Sequence, residues 1–263
     1  RRIILTHTHP DHFGLAGWLQ NWCASVDNIP PIECSPREIE LAQLIWGGSG
    51  RLANEFPTYL AACGMPADMI APVVDGFTFT SIHTQPHPTP LRPLTAGSHL
   101  QIGDRTYKVI HAPGHSDGQI LLYDVADQLL LSGDHVLMKI TPNIGLWPDS
   151  QPEPLRRYLA SLNELLTLEV RLALPGHRTL ITDWQGRLSE LRAHHAARLE
   201  HTYAAVGQGA TIYEVSVQIF PSNQFSPHEW RFAMAETWAH LEYLEGEGRI
   251  RSEDRGGVRW YRR

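Results

Sequence analysis

Four potential metal ligands lie within six residues near the start of the chain, in the pattern His7-x-His9-x-Asp11-His12. Neutral imidazoles together with a carboxylate are typical ligands of zinc, iron and manganese. Residues two apart in an extended segment point the same way, so His7 and His9 can reach one ion, while Asp11 and His12 can reach a second. Without a cation, four such groups beside an apolar strand would desolvate and repel one another. The cluster therefore predicts a site for two metal ions.

Three later turns share one arrangement, in which an apolar strand ends in a glycine-containing turn that carries a potential ligand. The ligands and their turns are His115 in Pro113-Gly114-His115, Asp134 in Ser132-Gly133-Asp134, and His177 in Pro175-Gly176-His177. Any one of these side chains alone would more often be solvated or hydrogen-bonded than metal-bound. Loops at strand ends are, however, where scaffolds gather functional groups. We therefore expect all three side chains to join the cluster at residues 7–12.

The complete motif set resembles that of the metallo-β-lactamase-fold hydrolase superfamily, in which His-x-His-x-Asp-His is followed in order by a His, an Asp and a His at strand ends. The resemblance implies an αβ/βα sandwich and two divalent metal ions, with zinc as the first choice and iron or manganese as alternatives. The implied ligands are His7, His9 and His115 for one metal, Asp11, His12 and His177 for the other, and Asp134 as the bridge. Asp11 and Asp134 are the implied catalytic residues, because Asp11 would also orient the nucleophile and Asp134 would set the metal separation.

The segment 112–118 (Ala-Pro-Gly-His-Ser-Asp-Gly) and the acidic bridging ligand are similar to the glyoxalase II-like branch, whereas the second site of true β-lactamases often uses Cys. We expect a hydroxide held by the two metals to attack acyl ester or thioester substrates. The alternative is a ribonuclease or phosphodiesterase acting on single-stranded nucleic acid, because the same centre cleaves phosphodiesters. Asn143 and Trp147, in a loop that resembles a family loop near the pocket, are candidate substrate contacts.

Hydrophobic periodicity predicts the elements that position these residues. Four prolines make 84–93 an extended connection, and 35–82 is mostly helical, with breaks at Gly47-Gly48, Gly64 to Pro66 and Gly76, as in an insertion or lid. The other predicted elements are a strand at 3–6, a helix at 14–22, strands at 99–102, 106–111, 119–124 and 128–131, a helix at 152–168 and a strand at 170–174.

We predict an α+β chain with two domains, a catalytic domain at 1–186 and a winged-helix-like domain at 187–263. The second domain would hold helices at 187–206, 211–220 and 226–244 and a hairpin at 249–261, and it is similar to that of β-lactamase-like protein 2 relatives. It could bind nucleic acid through six arginines at 249–263 interleaved with Trp260 and Tyr261, pack as a solvated wing, or form a homodimer. Because the family fold begins with several strands, of which only 3–6 precedes the His-rich loop here, we expect N-terminal strands to be missing.

Composition limits the remaining function classes. The 263 residues carry 22 Lys+Arg and 28 Asp+Glu, a formal net charge of −6, which disfavours binding of nucleic acid or anionic membranes through bulk positive charge. Three cysteines, Cys23, Cys34 and Cys63, match neither a disulfide framework nor a metal clip and favour a reducing compartment. With no apolar run of membrane-spanning length and no signal peptide, the sequence predicts a soluble cytoplasmic enzyme.

Overall fold

The positions of helices and strands follow largely from the apolar patterns. The structure, a computed structural model, describes residues 2–24, 29–47, 51–220 and 225–263. The helices of these residues are α1 (Pro10–Phe13), α2 (Ala16–Cys23), α3 (Pro36–Trp46), α4 (Arg51–Ala62), α5 (Ala67–His83), α6 (Pro154–Leu165), α7 (Trp184–Val206), α8 (Ile212–Ile219) and α9 (Pro227–Gly246). The strands are β1 (Ile3–Ile4), β2 (Ile32–Cys34), β3 (Leu91–Pro93), β4 (His99–Ile102), β5 (Arg105–His111), β6 (Ile120–Asp124), β7 (Leu129–Gly133), β8 (Leu172–Pro175), β9 (Ala210–Thr211), β10 (Arg251–Arg255) and β11 (Val258–Arg262).

The strands form three sheets. The first is parallel, in the order β1-β2-β3. The second has the order β4-β5-β6-β7-β8 and is antiparallel except for its last pair, β7 and β8, which run parallel. The third joins the C-terminal hairpin to β9 in the order β10-β11-β9. The predicted α+β class is confirmed, since strands and helices are present in a mixed arrangement.

Two hydrophobic clusters support the first two sheets. One lies under β4, β5 and β6 and includes Leu100, Val109 and Leu122, with Ile4 of β1 packed against it. The parallel β1 and β2 also contribute to a second cluster, which includes Phe13 and Trp46 from the surrounding helices. Burial of this apolar area stabilises the strands whose ends carry the predicted ligands.

The chain divides into two compact units. The first contains Arg1–Ser49, Phe79–Pro142 and Ala160–Leu188, and the second contains Gly50–Thr78, Asn143–Leu159 and Ser189–Arg263. The helices and the hairpin expected after residue 186 are present as α7, α8, α9, β10 and β11. The domain division between 186 and 187 and the winged-helix class remain predictions.

Some local predictions are wrong. The expected break at Gly76 does not occur, because α5 continues through it from Ala67 to His83. The connection 84–93 is more than an extended linker, since its last three residues, Leu91–Pro93, pair with β2 as the edge strand β3 of the parallel sheet. Proline is tolerated there because an edge strand has one side free of ladder bonds. Part of the break at Gly47-Gly48 falls on residue 48, outside the described residues.

Cys23, Cys34 and Cys63 are free of disulfides. Burial raises the pKa of the Cys34 thiol to about 12, so that side chain behaves as a packing group. Among the described helices, none combines the length and apolar character needed to cross a membrane.

Candidate metal centre

The His-rich loop leaves β1 and enters the short helix α1. Its start is held to the second sheet, because the Ile120 N–H donates a hydrogen bond to the Thr6 carbonyl at 2.9 Å. Pro10 occupies the first turn of α1, where its fixed φ favours the helix. Asp11 and His12 lie on α1. His7 and His9 lie on the extended segment before it, as their two-residue spacing predicted.

The other three predicted ligands lie at strand ends of the second sheet. His115 is in the loop between β5 and β6, Asp134 follows β7, and His177 follows β8. Because β7 and β8 are parallel neighbours, their carboxyl ends meet at one edge. The Gly176 N–H donates to the Gly133 carbonyl at 2.8 Å, which joins the last two turns directly.

All seven predicted ligands come together, in two groups. Within each group, one potential ligand atom from every residue lies within 4.8 Å of the others. The groups are His7, His9 and His115, and Asp11, His12, Asp134 and His177. The Asp134 carboxylate lies beside both, since Oδ1 is 3.3 Å from His12 Nε2 and Oδ2 is 3.9 Å from His115 Nε2. The arrangement fits a carboxylate shared by two neighbouring cation sites.

His7 shows why the donor set fits a metal. Its ring is fully buried, and its Nε2 atom has no hydrogen-bond partner. A buried polar atom without a partner costs on the order of 1–3 kcal/mol. Burial, and then the charges of the neighbouring histidines, hold the His7 pKa well below its usual value. A neutral imidazole keeps a lone pair for a cation, which would satisfy the orphaned nitrogen.

The carboxylate of Asp134 sets the electrostatics of the second group. Burial lowers the pKa of His12, but the Asp134 and Asp11 carboxylates outweigh it, so the pKa is raised. Burial likewise opposes ionisation of Asp134, yet the His12 imidazole, 3.3 Å from Oδ1, and the other nearby imidazoles lower its pKa. Asp134 is therefore ionised at neutral pH, as a metal ligand must be.

Sequence reasoning missed one support of the Asp134 turn. The amide of Gln119 is fully buried, and with its oxygen facing the turn it accepts the backbone N–H groups of Asp134 at 3.0 Å and His135 at 2.9 Å. His135, which directly follows Asp134, is fully buried, and its Nε2 lies 2.7 Å from Ser161 Oγ. Burial lowers the His135 pKa to about 3. No periodic pattern identifies such contacts, because they form only in the tertiary fold.

The two candidate substrate contacts lie in the second compact unit. Asn143 donates its side-chain N–H groups to the Phe232 carbonyl at 3.2 Å and to Glu236 Oε2 at 3.1 Å. The Trp147 ring lies 6.3 Å from the Phe56 ring and 5.6 Å from the Phe232 ring, measured between centroids. These contacts anchor the 143–147 loop to α9, and a role in substrate binding remains a prediction.

Two family models match the chain. The model described as "Metallo-beta-lactamase superfamily" matches residues 1–177, the part that contains all seven candidate ligands. The model described as "Metallo-beta-lactamase-like, C-terminal domain" matches residues 199–263.

Individual proteins are similar over the same regions. The "Probable metallo-hydrolase YqjP" of Bacillus subtilis (strain 168) is 28% identical over 275 residues, covering 99% of this chain and 80% of the relative. The crystal structure of the metallo-beta-lactamase family protein TTHA1429 from Thermus thermophilus has a TM-score of 0.86 and 33% identity, and the match covers 100% of this chain and 80% of that one. The "Atrochrysone carboxyl ACP thioesterase dmxR1" of Cryptosporiopsis sp. (strain 8999) is 27% identical over 117 residues, which are 44% of this chain and 34% of the relative.

Proposed function

The chain belongs to the metallo-beta-lactamase superfamily, and from that membership we propose that it is a hydrolase that uses two divalent metal ions to cleave acyl esters or thioesters. The observation that carries the proposal is the meeting of two ligand groups beside the Asp134 carboxylate. Zinc is the first candidate metal, and iron or manganese suits the same donors. The proposed ligands are His7, His9 and His115 for one cation, Asp11, His12 and His177 for the other, and Asp134 for both.

The chemistry divides between the cations and the chain. Bound divalent cations supply Lewis acidity, which lowers the pKa of a water nucleophile and polarises a substrate carbonyl. Asp11 keeps 52% of its side chain exposed, whereas Asp134 keeps 7%. Asp11 is therefore the carboxylate that water or substrate can reach, and we assign it the orientation of the water and the acceptance of its proton. His177 Nε2 lies 2.9 Å from Asp11 Oδ2, so the two side chains face each other as ligands of one cation would.

Two observations favour acyl thioesters as the substrate class. A relative of the catalytic part is named as a thioesterase that acts on an acyl carrier protein, at 27% identity. The net charge of −6 also disfavours long polyanionic substrates, because it repels them from the protein as a whole.

The nuclease alternative depends on the basic C-terminal hairpin, and much of that charge is engaged within the chain. Arg249 donates to Glu200 and lies over the Tyr203 ring. Arg255 lies 4.4 Å from the centroid of the Trp260 ring, which it covers on one face. A solvated wing explains these contacts as well as a phosphate-binding surface does, so nucleic acid stays the second candidate.

The deciding experiment is thiol release from a panel of acyl thioesters by the metal-loaded protein. Asp134→Ala should abolish release, because it removes the carboxylate shared by the two groups. Asp127→Ala is the matched control, since Asp127 is an exposed carboxylate at the opposite end of β7, and it should release thiol like the wild type.

Thiol release that Asp134→Ala abolishes and Asp127→Ala retains would support the thioesterase. Protein that contains two metals per chain but releases no thiol would reject acyl thioesters, and single-stranded RNA would be the next substrate to test. Protein that binds no divalent metal would reject the metal-dependent hydrolase itself.

A further inference from the structure

Glu38 is a buried carboxylate outside the set of proposed ligands. It lies in the first turn of α3 with none of its surface exposed. Its Oε2 atom accepts the Thr8 backbone N–H at 2.8 Å and the Thr8 hydroxyl at 2.7 Å. Its Oε1 atom accepts the Gly118 backbone N–H at 3.0 Å and the Ser116 hydroxyl. One side chain thus makes four hydrogen bonds, two through each oxygen.

The four donors belong to the two loops that supply the first ligand group. Thr8 lies between His7 and His9, and Ser116 directly follows His115. Each oxygen of Glu38 serves one loop, so the carboxylate bridges two segments that are far apart in the chain. The distance between the loops, and hence between their imidazoles, depends on this bridge.

The first turn of α3 shows that capping does not explain the position of Glu38. Ser35 accepts the Glu38 N–H at 3.2 Å, as the N-cap of a Ser-x-x-Glu capping box does. In α8 and α9 the corresponding glutamates complete the box by accepting the backbone N–H of the cap residue. In α3 the glutamate oxygens face the two ligand loops instead.

Burying this carboxylate is costly, so packing alone is a poor reason for it. Burial raises the pKa of Glu38, and the hydrogen bonds from Ser116, Thr8 and Gly118 oppose that shift. Two of the four donors are backbone N–H groups, which can only donate. An ionised carboxylate, which only accepts, is the side chain that satisfies all four donors at once. An apolar residue would fill the space and leave buried donors without partners.

We propose that Glu38 is a positioning residue that fixes the spacing of the loop bearing His7 and His9 relative to the loop bearing His115, and thereby sets the geometry of the first metal group. The inference rests on the proposed metal-dependent function. Glu38 acts on the proposed ligands through its hydrogen bonds to Thr8, Ser116 and Gly118.

Glu38→Gln tests the proposal with little change of volume. The amide has one acceptor oxygen, and its NH₂ group must face the donors of one loop. We expect metal affinity, measured by competition with a chromophoric chelator, to fall about 10–100-fold. The absorption bands of bound Co²⁺ should shift, because they report ligand geometry. Glu40→Gln is the matched control on the same helix, since 62% of its side chain is exposed, and it should bind metal like the wild type.

Two hydroxyl deletions keep the test informative if Glu38→Gln fails to fold. Thr8→Val and Ser116→Ala each remove one hydroxyl donor and keep the carboxylate and the backbone donors. Each should weaken metal binding several-fold and shift the Co²⁺ bands, with little change in the melting temperature of the metal-free protein. Wild-type affinity and unchanged bands in both variants would overturn the proposal.

The outcomes separate this inference from the proposed function. A folded Glu38→Gln protein with a lowered metal-free melting temperature but wild-type affinity and Co²⁺ bands would make Glu38 merely structural and overturn the inference alone. A wild-type protein that binds no divalent metal would overturn the proposed function and, with it, this inference.

Discussion

The Nδ1 atom of His9 lies 2.9 Å from the Nε2 atom of His115, a residue 106 positions further along the chain. One imidazole belongs to the loop after β1 and the other to the loop after β5, so two different sheets bring them together. The buried His7 ring lies 4.6 Å from the His9 ring and 5.0 Å from the His115 ring, between centroids. Three imidazoles thus face one another, an arrangement that a cation would stabilise.

Metal removal tests this arrangement directly. The wild-type protein should hold two divalent ions per chain, and chelation should lower its melting temperature, because a ligand that binds only the folded state stabilises it. His115→Ala should reduce the content to about one ion per chain, since it removes a member of the first group only. Metal analysis after gel filtration measures the content, and two ions retained by His115→Ala would contradict the assignment.

Gly176→Ala should disrupt the site without removing any ligand. A Cβ atom at this position would lie 2.2 Å from Asp134 Oδ1 and 2.9 Å from His12 Cε1. Both side chains would have to move, so we expect metal affinity and hydrolysis to fall at least about 10-fold, as for other losses of ligand orientation. Chelator competition and thiol release measure the two effects. Wild-type values for both would show that the turn accommodates the methyl group.

Gly76→Ala should instead stabilise the protein, by about 0.5–1 kcal/mol. Gly76 lies inside α5, and a Cβ atom there would meet no atom within 4 Å apart from the neighbouring residues and backbone of its own helix. Alanine loses less backbone entropy than glycine when a helix forms. Urea denaturation of the metal-free protein measures the difference, and a destabilised Gly76→Ala protein would contradict it. The variant also serves as the matched glycine-to-alanine control for Gly176→Ala.

The sequence predicted the seven candidate ligands because each can be recognised from a short stretch of neighbouring residues. A short motif supplied His7 to His12, and the rule that turns follow apolar strands located the remaining three. The role of Glu38 could not be predicted, because Ser35-Pro-Arg-Glu38 spells a capping box and the partners of the carboxylate lie 30 and about 80 positions away. The local motif predicts a capping role for Glu38, whereas the folded structure directs its carboxylate to two distant loops.

The helix α2 shows a second limit of sequence patterns. Its apolar residues have helical spacing, yet Trp18 and Trp22 are 53% and 72% exposed, and the buried positions include Gly17 and Gln20. The reason is a close backbone approach, since a Cβ atom at Gly17 would lie 2.0 Å from the Pro86 carbonyl oxygen. Only a small residue fits there. The side of α2 that carries Gly17 therefore packs against the protein because of its small size and not because of its hydrophobicity.

The second compact unit contains a buried ionisable cluster that should make stability depend on pH. His195 and His240 are fully buried, with His195 Nδ1 3.2 Å from His240 Nε2. Burial, and then neighbouring positive groups, lower the pKa of His195 to about 2, and burial lowers that of His240 to about 4. Burial raises the pKa of Glu236 to about 7, against the opposing charge of Arg198. These groups are therefore neutral in the folded state between about pH 4 and pH 7.

The histidines and the glutamate act on stability with opposite signs. As the pH falls below 6.5, the unfolded chain protonates both histidines while the folded chain does not, so they lower the free energy of unfolding. As the pH falls from 7 to 4.5, Glu236 raises the free energy of unfolding, because the folded state already holds its proton.

The effect of the two histidines exceeds that of the one glutamate. The free energy of unfolding of the metal-free protein should therefore fall by about 1.4 kcal/mol per pH unit from this cluster between pH 6 and pH 5. Glu236→Gln should roughly double that slope, and His240→Gln should nearly remove it. Urea denaturation at pH 6 and pH 5 measures these slopes, and equal slopes in the wild type and both variants would rule out the cluster as their source.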